Sequence, residues 1–157
     1  GVRPIEVEMP SDLPVNAALL VRVEAAAAFD DIDKIRGLDA LTVQDKTGWP
    51  NYIRASRFVP AADYIQAQRV RTLLMERMEK IFDEVDVFMT PTFGVIPLTN
   101  LTGHPAVVVP SGFGTDNLPT SISFIGRPYG ESALCTVARA WQNLTGHHLA
   151  RPEAYDR

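Results

Sequence analysis

The chain has 157 residues, of which 46% are hydrophobic and 22% charged, and its formal net charge is −4. This composition is typical of a soluble globular protein with a buried core, and the negative charge argues against nucleic-acid binding, which needs a basic surface. No apolar run approaches the roughly 18 residues of a membrane helix. We therefore expect neither a nucleic-acid partner nor a membrane partner.

The cysteine content indicates which cellular compartment to expect. Cys135 is the one cysteine, so no disulfide can form within the chain, and a cytoplasmic location is expected. The sequence shows no basic and apolar leader of the kind that predicts secretion. Because the first residue is Gly1 and not Met, we expect that residues precede it in the natural protein.

The first half of the chain predicts one strand and one long helix. Residues 5–9 alternate apolar and charged side chains, as a half-buried strand does. Residues 13–30 predict a helix, capped by Ser11 or Asp12. Residues 31–41 favour a charged turn or short helix. Residues 42–51 predict a loop, in which we expect Trp49 to anchor the loop to the protein body.

The second half predicts alternation of helices and strands. Residues 60–84 form an amphipathic helix whose buried stripe ends at Met78 and Ile81, and an apolar strand follows over 85–89. Residues 106–110 are apolar on both faces, which predicts a central, doubly covered strand. Residues 120–126 predict its hairpin partner, and the last helix covers 130–144, ended by Gly146. The expected fold is α/β, a mixed β-sheet flanked by helices.

Several strings of residues resemble segments of the amidase-signature family, in the family's order. Residues 100–112 read N-L-T-G-H-P-A-V-V-V-P-S-G, similar to the family's N-L-(T/A)-G-x-P-A-hydrophobic-P-x-G. Residues 125–129 resemble its G-(R/K)-P-(F/Y) segment, with Asn117 upstream where glycine is usual. Residues 62–71 and 82–92 are similar to its A-x-D-Y helix and its T-P-T strand.

The resemblance implies that residues 1–157 are the C-terminal portion of an amidase-signature domain, in one compact piece. Family members cut amide C–N bonds with a Lys-cisSer-Ser centre, and no segment of this chain resembles the segments that carry it. The chain has no adjacent pair of serines, and Lys34, Lys46 and Lys80 lie in charged contexts. We therefore expect no catalytic residue, no activity of the chain alone, and a small amide as the substrate of the parent enzyme.

The pocket prediction places substrate contacts on loops at strand ends, over residues 90–99 and 100–105. Its candidates are Thr92, Phe93, Asn100, Gly103 and His104. For Gly103, as for Pro91 and Pro105, a role in turning the chain is the favoured interpretation. We expect no cofactor and no metal, because His147 and His148 lack the spacing of a zinc site.

Alternatives stay open beside the amidase. One is the amidase-like component of the glutamine-dependent tRNA amidotransferase, although residues 92–99 lack the acidic residue that would hold the glutamine amino group, and Arg54 and Arg57 match its carboxylate-binding arginine weakly. Another is a non-catalytic binding or assembly module that keeps part of the fold. A third is chemistry at Cys135, which we interpret instead as an inert core thiol. Strand edges left open predict self-association of the isolated chain.

Overall fold

The computed structural model describes residues 2–10 and 17–152. The chain divides into two compact units. One unit is Ser11–Met75, and the other combines Gly1–Pro10 with Glu76–Arg157. The long helix α4, Ala61–Ile81, begins in the first unit and ends in the second.

The Ser11–Met75 unit is helical in the part that is described. It holds α1 (Ala17–Ala28), α2 (Asp30–Lys34), a 3-10 turn (Gly37–Ala40), α3 (Trp49–Ser56) and most of α4. Ala26, Leu38 and Ile53 form its buried cluster. Glu24 on α1 accepts hydrogen bonds from Tyr64 and Gln68 on α4. The predicted first helix is confirmed over α1, whereas its predicted cap and start, at residues 11–16, lie outside the described residues.

The predicted loop over residues 42–51 is confirmed over 42–48, whereas residues 49–51 form the start of helix α3. Pro50 lies in the first turn of the helix, where its missing N–H costs nothing, and its side chain is fully buried. Trp49 is 53% exposed, so the prediction that it anchors the loop was wrong. The Gly48-Trp49-Pro50 string is therefore a helix start, in which proline and not tryptophan is the buried side chain.

The second unit is built on a three-stranded sheet in the order β1-β3-β2. Its elements are β1 (Val87–Pro91), α5 (Thr92–Thr102), β2 (Ala106–Phe113), β3 (Pro119–Gly126) and α6 (Glu131–Thr145). The α/β class, the β2–β3 hairpin and the last helix confirm the predictions. Residues 5–9 form no strand; Val7 and Met9 pack instead against the core.

Strand order differs from the expectation in two respects. β3 pairs antiparallel with both β1 and β2, so the described sheet is antiparallel and not mixed. β1 and β2 do run parallel, as a strand-helix-strand succession favours, but β3 lies between them. For the same reason β2 is an edge strand and not the predicted central one.

Alternation along the strands gives the sheet two apolar faces. Phe124 and Val109 point to one face and pack with Leu134 and Ala138 of α6. Phe88 and Ile125 point to the other face and pack with the end of α4 and with Val95 of α5. The sheet is thus covered by α6 on one side and by α5 and the end of α4 on the other.

A glycine sets the distance between α6 and the sheet. A Cβ at Gly126 would lie 3.0 Å from Leu134 Cγ, closer than ordinary packing allows. Leu134 is fully buried there. The helix therefore lies close on β3, and it ends at Gly146, whose φ of +66° confirms the predicted C-cap.

Candidate functional site

Helix α5 carries the predicted pocket residues and replaces the predicted loops. It runs from Thr92 to Thr102, with Pro97 inside and Gly103 as its left-handed C-cap at φ +77°. Thr92 and Phe93 lie at its first turn, whereas Asn100, Gly103 and His104 lie at its end. The helix is 11 residues long, so at roughly 1.5 Å per residue its two ends lie about 15 Å apart. The candidates therefore line one element but do not converge on one point.

Thr92 is a buried hydroxyl that joins α5 to the sheet. Its Oγ1 lies 2.9 Å from Ser121 Oγ and accepts a hydrogen bond of 3.2 Å from Ser123. Thr92 is 9% exposed and Ser123 is 2% exposed. These hydroxyls satisfy one another, so Thr92 holds the start of α5 in place.

The outer face of α5 is an uncharged stripe. Exposed side chains recur at the helical spacing of three, four and seven positions: Phe93, Ile96, Pro97 and Asn100. Phe93 is 88% exposed. No Asp, Glu, Lys or Arg lies between Asp86 and Asp116, a segment that contains β1, α5 and β2. We call these four residues the outer stripe; it offers an apolar wall with one amide at its end.

His104 is buried immediately after α5. Its Nδ1 lies 2.8 Å from Thr102 Oγ1, and its ring stacks on Phe82 with centroids 5.2 Å apart. Its Nε2 is buried and has no hydrogen-bond partner among the described residues. Burial lowers the pKa of His104 from its usual 6.5, and Glu79 opposes the shift. The imidazole is therefore neutral at pH 7, with one nitrogen unpaired.

The described residues contain no serine paired with a base. Ser121 and Ser123 bond to Thr92, and Ser111 bonds to Thr120. The lysines are all exposed, and Lys34 pairs with Asp30 at 2.5 Å. The described residues also contain no cis peptide bond. No Lys-Ser-Ser arrangement is thus present in the described part of the chain.

The alternative nucleophile and metal ligands are likewise not assembled. Cys135 is exposed on α6, so its interpretation as a core thiol was wrong. His147 lies beside Trp141 at 6.4 Å between centroids. Within residues 2–10 and 17–152, no group of His, Cys, Asp and Glu is arranged to hold a metal ion.

Arg54 and Arg57 are engaged within the helical unit. Arg54 bonds to Asp39 at 2.6 Å, and Arg57 bonds to Asp33 at 3.1 Å and also to Asp30. These ion pairs leave the two guanidiniums compensated by aspartates of their own unit. A substrate carboxylate would have to displace those aspartates.

Arg127 has a role that the sequence did not predict. Its guanidinium donates to Phe82 O at the end of α4, pairs with Glu79 at 2.6 Å, and lies 5.7 Å above the Phe82 ring. Phe82 is the ring on which His104 stacks. The sequence feature that points to such a role is an arginine in a Gly-Arg-Pro turn after a buried strand. That feature does not identify Phe82 O or Glu79 as the groups that the arginine contacts.

Within the described residues, no helix is both long enough and apolar enough to cross a membrane.

Comparisons with known proteins show which proteins the chain is similar to. No protein-family model matches it. It is 32% identical over 154 aligned positions to the A-type subunit of the glutamyl-tRNA(Gln) amidotransferase of Chloroflexus aggregans, covering 84% of this chain and 31% of that protein. It is 30% identical to a fatty acid amide hydrolase of Medicago truncatula, covering 99% of this chain and 30% of that protein.

The fold is similar to that of a solved enzyme. A bacterial aryl acylamidase of the amidase-signature family superposes with a TM-score of 0.67 at 18% identity, over 85% of this chain and 35% of that one. The chain therefore spans about a third of the length of the proteins it matches. In sequence the chain is similar to the C-terminal third of amide-processing relatives, and in fold it is similar to a portion of an amidase-signature enzyme.

Proposed function

We propose that this chain is the C-terminal portion of an amidase that hydrolyses amide C–N bonds with a Lys-cisSer-Ser centre held in the preceding part of the fold. The proposal is carried by one observation: nearly the whole chain aligns with amide-processing relatives, yet it spans only about 30% of them. A serine nucleophile needs an adjacent base and an oxyanion hole. The described residues supply no such pair, and we expect the chain alone to be inactive.

The chain's contribution is a pocket wall formed by α5. The outer stripe presents Phe93 and Asn100 to the outside, while Thr92 and His104 hold the two ends of the helix. Binding pockets are lined mainly by apolar side chains with a few placed polar groups. An uncharged helix face with a terminal amide fits that description, and it suits a small amide substrate.

The test compares two proteins on a panel of simple amides. One is the purified chain, and the other is a longer protein in which the preceding part of an amidase-signature fold is joined to it. We expect turnover by the longer protein alone. A burst of product from the short chain would overturn the proposal and would direct attention to its serines and Cys135.

A matched pair of variants tests the pocket wall in the longer protein. Phe93→Ala removes an exposed ring from the outer stripe, and we expect a several-fold rise in KM. Leu144→Ala removes a side chain that is 87% exposed on α6 and should leave KM unchanged. Equal behaviour of the two variants would remove Phe93 from the pocket.

A second candidate function is that of the amidase-like component of a tRNA amidotransferase, which the identity to the Chloroflexus aggregans protein favours. Against it, the segment between Asp86 and Asp116 holds no carboxylate, and Arg54 and Arg57 are paired with aspartates. Glutamine hydrolysis coupled to transamidation of a misacylated tRNA would establish it. A third candidate, a non-catalytic module, requires that no preceding catalytic segment be encoded with this chain.

We place the protein in the cytoplasm, and its single cysteine supports this. Recovery of the tagged protein from the secreted fraction of its host would contradict that location.

A further inference from the structure

Residues 30–40 bury little of their own surface. They comprise α2 and the 3-10 turn that follows it, and we call them the flap. No residue of α2 is buried, and Leu38 is the buried residue of the 3-10 turn. Ile32 and Ile35 are 43% and 79% exposed. Burial of apolar side chains therefore does little to hold α2 in place.

Salt bridges tie the flap to helix α3. Arg57, at the end of α3, bonds to Asp30 and, at 3.1 Å, to one carboxylate oxygen of Asp33. Arg54 lies 3.7 Å from the other oxygen of Asp33 and 2.6 Å from Asp39. Because Arg54 and Arg57 are three positions apart, they lie on the same side of the helix. Asp33 is therefore held between the two arginines.

These contacts join into one chain of alternating charge. Within the flap, Lys34 pairs with Asp30 at 2.5 Å, and Arg36 pairs with Asp39 at 2.9 Å. Cations and anions then follow one another in the order Lys34, Asp30, Arg57, Asp33, Arg54, Asp39 and Arg36. The flap and α3 are thus joined by a connected network and not by isolated pairs.

The network is open to dissolved ions. The side chains of Arg54 and Arg57 are each 38% exposed, and that of Asp30 is 32% exposed. Exposed ion pairs contribute little each, and added salt screens them. Hydrogen bonds from Lys34 and Arg57 lower the pKa of Asp30 from 3.8, so this carboxylate stays charged at neutral pH. Ionic strength, and not pH near neutrality, therefore controls the attachment.

Leu38 is the residue through which the flap covers apolar groups. It packs in one buried cluster with Ala26 of α1 and Ile53 of α3. Gln44, in the loop after the flap, donates to Leu38 O at 2.8 Å and to Leu41 O at 2.7 Å. One leucine is a small apolar contact for a segment of this length. Movement of the flap uncovers Ala26 and Ile53.

The backbone of the flap is strained at one point. Arg36 has a φ of +61°, in the left-handed region that residues other than glycine rarely adopt. Such a conformation costs free energy and persists only where surrounding contacts impose it. Release of the flap relieves this strain, so the backbone favours opening once the ion pairs weaken.

We propose that the flap is an ionic latch, closed on α3 at low ionic strength and released as ionic strength rises. Release adds Ala26 and Ile53 to the surface of the helical unit. The inference is independent of the proposed amidase activity, because every residue in it belongs to the Ser11–Met75 unit.

Amide hydrogen exchange at constant pH, in about 0.05 M and about 1 M NaCl, tests the latch. A five-residue helix is not stable by itself, so the released flap loses its hydrogen bonds. We expect the amides of Asp33, Ile35 and Asp39 to exchange about tenfold faster at high salt, while Gly126, which donates to Pro105 O, keeps its rate. Equal flap rates at both salt concentrations overturn the proposal. Equal acceleration at Gly126 also overturns it, because that result indicates global unfolding.

Neutral substitutions provide a matched pair. Arg57→Gln removes the cation between Asp30 and Asp33, so the flap amides should already exchange fast in low salt and lose most of their salt response. Arg139→Gln removes the same charge from an exposed position on α6 and should behave as the wild type. Slow, salt-sensitive exchange of the flap in Arg57→Gln contradicts the latch. The salt comparison on the wild-type chain decides the question even where Arg57→Gln fails to fold.

Discussion

His104 shows how one buried side chain combines a pocket prediction with a structural role. The sequence placed it among the pocket candidates, and the structure puts it against Phe82 and Thr102 with Nε2 unpaired among the described residues. A buried polar atom without a partner costs stability unless something outside the described residues satisfies it. Contact between His104 and substrate stays a prediction, whereas its packing in the core is observed in the structure.

The lowered pKa of His104 predicts acid sensitivity. The unfolded chain binds a proton near the usual pKa of 6.5, while burial keeps the folded imidazole neutral to lower pH. Stability is therefore fully present above 6.5 and declines as pH falls toward the folded-state pKa. We expect the urea midpoint to fall between pH 7.5 and about pH 5.5.

Matched histidine variants isolate this effect. His104→Phe keeps a ring on Phe82 and should flatten the pH dependence in that window, whereas His148→Asn, at an exposed position, should retain it. Asp30 and Asp45 do not interfere, because hydrogen bonds lower their pKa values from 3.8 and their contribution is lost only at lower pH. An unchanged slope in His104→Phe would assign the sensitivity elsewhere.

At the level of elements, α5 was the main error of the sequence interpretation. Gly94, Pro97 and the Thr-Pro-Thr string favour a turn, and Pro97 cannot donate to the helix ladder. Val95 and Leu101 are nevertheless buried, and Leu98 packs against the same core. Burial of these side chains outweighs the local preference, which is why the pocket candidates lie on a helix.

Arg127 joins the end of α4 to the end of β3, and its removal should be measurable. Arg127→Ala loses the hydrogen bond to Phe82 O and the ion pair with Glu79, so we expect unfolding free energy to fall by about 1–2 kcal/mol. Glu79→Ala loses only the exposed ion pair and should cost less than about 1 kcal/mol. Chemical denaturation of both variants measures the two losses of unfolding free energy. Equal losses would contradict a separate contribution of the hydrogen bond to Phe82 O.

At the scale of the whole molecule, charge is unevenly distributed along the chain. The helical unit holds an ion-pair network of Asp30, Asp33 and Asp39 with Arg54 and Arg57. The uncharged segment between Asp86 and Asp116 lies entirely in the other unit. Within that segment the outer stripe of α5 is exposed and uncharged, and exposed apolar patches often mark an interface.

That distribution predicts self-association of the isolated chain. Sedimentation at rising concentration should show oligomers, and Phe93→Asp with Ile96→Asp should reduce them by placing charge on the outer stripe. Leu144→Asp changes an equally exposed apolar side chain outside that stripe and should have little effect. A wild-type chain that stays monomeric throughout would contradict the prediction.

The sequence by itself determined the family, the helix faces and the β2–β3 hairpin, because ordered motifs and periods of 3.6 and 2 are local properties. The buried stripe of α4 through Leu74, Met78 and Ile81 and the Gly146 cap were predictable in this way. Only the tertiary structure decided that β3 lies between β1 and β2, that 92–102 is a helix, and that Cys135 and Trp49 are exposed. Period-two alternation defines the two faces of a strand but carries no information about its neighbours, and burial of short segments depends on residues distant in the chain.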